Sequence, residues 1–100
     1  MSYPEFVEAK DVRFTTMQLV REGDGTSRLH VAGFIFHSAL AVEDIELKRD
    51  GADVHMMVRL TPVRSGLSGR FDTFVALPDG VTGVTFGPAK ARIWPAAAVR

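Results

Sequence analysis

The chain has 100 residues, 46% of them hydrophobic and none of them Cys. That is one domain's worth of sequence, able to bury roughly 65% of its unfolded surface, which argues against disorder and against a second core. Twelve basic residues balance twelve acidic ones, so the Lys and Arg excess of a general phosphate-backbone binder is missing and no nucleic-acid partner is expected.

The lack of Cys removes disulfides, thiolate metal ligands and cysteine nucleophiles. No run of about 18 apolar residues offers a membrane span, and the N-terminus has no apolar stretch of signal-peptide length. The expectation is a soluble, cytoplasmic protein with no membrane partner. Tyr3 to Lys10 reads as a loosely tied leader to a single domain over residues 1–100.

Turn signals then punctuate the chain at short intervals: Gly23-Asp24-Gly25, Asp50-Gly51, Ser65-Gly66, Ser68-Gly69, Pro78-Asp79-Gly80 and Gly87-Pro88. The segments between them are rich in Val, Ile, Phe and Thr and predict strands over 12–20, 28–37, 41–49, 53–61, 70–77, 82–86 and 90–95. In the first, Val12 and Phe14 share one parity and Met17 and Leu19 the other. Either a bulge at Thr15-Thr16 or a strand that changes sheets reconciles them.

The second segment is apolar on both parities, with Leu29, Val31 and Ile35 on one side and Ala32, Phe34 and Phe36 on the other. Two outcomes are open. A bulge at Gly33 re-aims the phenylalanines inward, or an aromatic patch stays exposed for another chain to cover. Residues 39–49 read as a strand with mixed charges, with a short helix capped by Ser38 as the alternative.

The Asp50-Gly51-Ala52-Asp53 hairpin is the clearest element. Val54, Met56, Val58 and Leu60 alternate after it with His55, Met57 and Arg59, the period of a half-buried antiparallel strand. Phe71, Thr73, Val75 and Leu77 alternate likewise, and Val84, Phe86, Ala91 and Ile93 are assigned to the core. Seven such strands predict an all-β, antiparallel two-sheet sandwich. It resembles the immunoglobulin and fibronectin type III sandwiches in strand count only, because the Cys pair and the tyrosine corner are absent and the one Trp, Trp94, lies in the last strand.

Candidate chemistry is sparse. His30 and His37 lie seven residues apart, roughly 20 Å by strand rise, and His55 is expected on an outer face near Met57. No pair has metal-ligand spacing, so no metal and no cofactor are expected. The loop from Arg64 to Arg70 lacks the G-x-S-x-G order of a serine nucleophile. Its Ser and Gly amides between two arginines suit an anion nest, with Arg64, Ser65, Ser68 and Arg70 as its residues. Glu43, Asp44 and Glu46 precede Lys48 and Arg49, the mixture of a solvated strand surface.

The reading is therefore a non-enzymatic binding or assembly module. Phe34, Ile35 and Phe36 form the expected interface with a protein partner, self or heterologous, and zero net charge does little to oppose a homo-oligomer. The alternative is a small-ligand or anion-binding domain using the loop from Arg64 to Arg70.

Overall fold

The computed structural model describes residues 4–37 and 39–95. The alternation around Asp50 becomes the longest ladder of the molecule. Strand β3 (Leu40–Asp50) pairs antiparallel with β4 (Asp53–Pro62), from Leu40 opposite Pro62 to Asp50 opposite Asp53. Gly51 opens the two-residue turn at φ +63°, a left-handed conformation that favours glycine and that tight hairpins need. Glu43 is an extra residue between Val42 and Asp44, a bulge that moves the apolar positions from Leu40 and Val42 to Ile45 and Leu47. Residues 40–49 are thus strand and not the alternative helix; Ser38, its supposed cap, lies outside the described residues.

The other ladders follow the same rule. Strand β1 (Val12–Arg21) pairs antiparallel with β2 (Ser27–Ile35), and β2 with β5 (Arg70–Leu77). Strands β3, β4, β6 (Gly83–Phe86) and β7 (Ala91–Trp94) form the second sheet in that order. The result is a sandwich-like all-β fold of three plus four strands. One pair departs from the antiparallel pattern: β6 runs parallel to β4, from Asp53 opposite Gly83 to Met56 opposite Phe86. The chain leaves β4, crosses to the first sheet as β5, and so re-enters the second sheet in β4's own direction.

The anticipated irregularity in β1 is present, with Thr15 unpaired between Phe14 and Thr16. The alternative bulge at Gly33 is not there. Strand β2 runs without a register shift against β5, and Gly33 stands opposite Phe14 and Phe71. Leu29, Val31 and Ile35 consequently face inward, joining Met56, Val58, Val75, Val84 and Phe86 in one core cluster. Phe14 meets Phe86 edge to face at 5.4 Å there. Ile93 packs against this core, whereas Ala91, expected in it, is exposed.

Residues 5–8 correct the expectation of a loose leader. Val7 N donates to the Val58 carbonyl at 3.1 Å, and Leu60 N donates to the Glu5 carbonyl at 2.8 Å. These bonds fill the edge of β4 beyond the point where β6 stops. Val7 is 1% exposed and Phe6 lies under the Arg59 guanidinium at 4.7 Å. Two apolar residues in a short segment carry no readable period, so the sequence alone did not disclose them. Tyr3 lies outside the described residues.

Candidate functional groove

Where β2 leaves the first sheet for β3 in the second, the backbone is held from several sides. Ile35 N donates to the Gly69 carbonyl at 3.0 Å and Phe36 N to the Asp11 carbonyl at 2.9 Å. Val63 N donates to the Ala39 carbonyl at 3.0 Å, and Val42 N to the Ser68 carbonyl at 2.8 Å. The end of the sandwich is thereby fixed while its side chains face out. Phe36 is 57% exposed and Val63 53%. Phe34 is half-buried and meets Phe36 edge to face at 5.7 Å.

Phe34, Ile35, Phe36, His37, Leu40, Val63, Ser68, Gly69 and Arg70 line one open groove of about 630 Å³. Two sites that the sequence kept apart therefore meet: the aromatic patch and the second half of the arginine loop. The Arg70 guanidinium lies 5.8 Å over the Phe34 ring, within cation–π range. The Ser68 hydroxyl turns back to accept the Arg70 backbone N–H at 3.2 Å.

The first half of the loop does not join them. Arg64 reaches Glu43 at 3.6 Å and the Thr61 hydroxyl at 3.4 Å, and neither it nor Ser65 lines the groove. The expected four-residue nest is thus divided between two environments. Leu40 and Val63 are groove residues that the sequence reading missed. A lone Val between Pro62 and Arg64 was the available signal, since an apolar side chain in a polar turn needs a reason to be there.

The histidines are separated. His30 Nε2 lies 2.7 Å from Asp72 Oδ1 and its ring stacks on Phe74 at 4.7 Å. The Gly87 carbonyl accepts from His55 Nε2 at 2.8 Å on the other sheet, and His37 sits at the groove. Among the described residues, no group of three or more His, Asp or Glu side chains is placed to hold a metal ion. No helix among them is long and apolar enough to cross a membrane.

Compared with known proteins, the chain matches no family model, no curated protein and no solved structure.

Proposed function

We propose that this protein is a non-catalytic binding or assembly module that docks another protein chain in the groove around Phe36. The observation that carries this reading is the pairing of two exposed apolar side chains, Phe36 and Val63, beside Phe34 on a backbone fixed by four hydrogen bonds. A rigid apolar groove loses little conformational entropy when it is covered, and contacts centred on an aromatic side chain dominate many interfaces. A plain anion loop is supported less well, because Arg64 is engaged with Glu43.

The test compares the parent with Phe36→Ser. Both are expected to give the same β-type circular dichroism, since Phe36 is mostly outside the core. Their masses are measured by light scattering up to about 100 µM, and their capture of peptides from a displayed library of random nonamers is compared. The expected result is that Phe36→Ser loses either self-association or captured peptides. A parent that stays monomeric and captures nothing that Phe36→Ser does not also capture would end the docking reading.

A further inference from the structure

Resting on that docking reading, we propose that the partner segment is acidic as well as apolar. It seats an apolar side chain between Phe36 and Val63 and lays a carboxylate on Arg70. None of the nine groove-lining residues is acidic, while Arg70 and His37 both carry nitrogen groups. Arg64 is engaged with Glu43, while Arg28, paired with Glu22 at 2.5 Å, and Arg59, paired with Glu5 and Glu46, lie elsewhere.

Among the described residues Arg70 forms no ion pair. Asp72, the nearest acid on its own strand, is committed to His30 at 2.7 Å. Phe34 stands between Arg70 on β5 and Arg13 on β1 in the same cross-strand row, and Arg13 also lacks an ion pair among the described residues. Two strand spacings, about 10 Å, separate the two arginine backbones. Like charges held on either side of an aromatic ring leave an electrostatic deficit that an incoming carboxylate relieves.

A single-stranded nucleic acid is the competing anionic partner. Its bases need open aromatic faces, but Phe74, the other large aromatic on this sheet surface, is already stacked by His30 and overlain by Arg28 at 4.5 Å. Asp72 also sits in the row between Phe34 and Phe74, where a phosphate path would run. A protein segment meets neither obstacle.

The experiment reads the composition of the nonamers captured by the parent and lost on Phe36→Ser, and repeats the selection on Arg70→Glu. Asp or Glu beside an aromatic or aliphatic residue is expected from the parent, and Lys or Arg in that place from Arg70→Glu. One selected acidic nonamer should bind about tenfold more tightly than its Asn and Gln counterpart, and Arg70→Gln should bring that ratio close to one. Phe36-dependent nonamers with no acidic preference, or with the same preference on Arg70→Glu, overturn the acidic partner and leave docking standing. Absence of any Phe36-dependent nonamer overturns the acidic partner, and with a parent that is also monomeric it overturns docking as well. Tighter Arg70-dependent binding of an oligothymidylate than of the acidic nonamer would assign the groove to nucleic acid instead.

Discussion

Gly33 faces Phe14 across the β1–β2 ladder, and a Cβ placed on Gly33 would lie 2.5 Å from the Arg13 backbone carbonyl oxygen. That distance is shorter than a Cβ atom tolerates, and the obstacle is strand backbone that cannot swing aside as a side chain does. The extra residue Thr15 follows immediately on β1, so the close approach and the bulge are one local feature.

Gly33→Ala is accordingly expected to destabilise the fold by about 1–3 kcal/mol through overpacking. The urea unfolding midpoint measures it. A midpoint equal to the parent's would mean that β1 can move away from β2 at no cost, and the fixed position of Phe34 one residue later would be in doubt.

Val7 gives a second test, of the claim that residues 5–8 belong to the sheet. The side chain is buried among core residues, and its amide is bonded to Val58. Val7→Ala should cost about 2 kcal/mol, the loss expected for removing methyl groups from a filled site. Thermal unfolding by circular dichroism would show it. An unchanged melting temperature would return this segment to the status of a loose leader.

Asp50 makes acid stability testable. The Lys90 ammonium, 3.0 Å from Asp50 Oδ2, donates a hydrogen bond and adds its charge, and together these hold the Asp50 carboxyl below its ordinary range. The ordinary value is about 3.9 in an unfolded chain. Because the folded state binds this proton less readily, the contribution is fully present above that value. It is lost as pH falls through the lower folded value. Lys90→Met removes the hydrogen bond and the charge. Its melting temperature should therefore drop less than the parent's between about pH 6 and about pH 2.5. Equal drops would show that the pair at the surface contributes nothing to acid unfolding.

Much of the architecture was written along the chain. The seven strands and the turn at Gly51 follow from period-two alternation and from Gly and Pro punctuation, both local properties. The irregularity at Thr15 was legible as a change of parity, which left a bulge or a change of sheet open; the β1–β2 register shows the bulge. The aromatic patch was legible only as a choice between burial and exposure. The uninterrupted β2–β5 register ruled out the bulge at Gly33, and Phe36, one residue past the end of β2, stands exposed.

Tertiary structure alone determined the rest, because it joins residues with no local relationship. Phe36, Val63 and Arg70 are brought to one groove by a chain crossing and by hydrogen bonds to Asp11, Ala39 and Gly69. The parallel pairing of β6 with β4, and the filling of β4's remaining edge by Glu5 to Val7, depend on which strand edges stand free after the two sheets pack. Arg64 and Arg70 are near neighbours in an apparently symmetric loop, yet Glu43 takes one guanidinium and Phe34 the other. Side-chain alternation reports which face a residue takes; which partner waits on that face is a property of the folded sandwich.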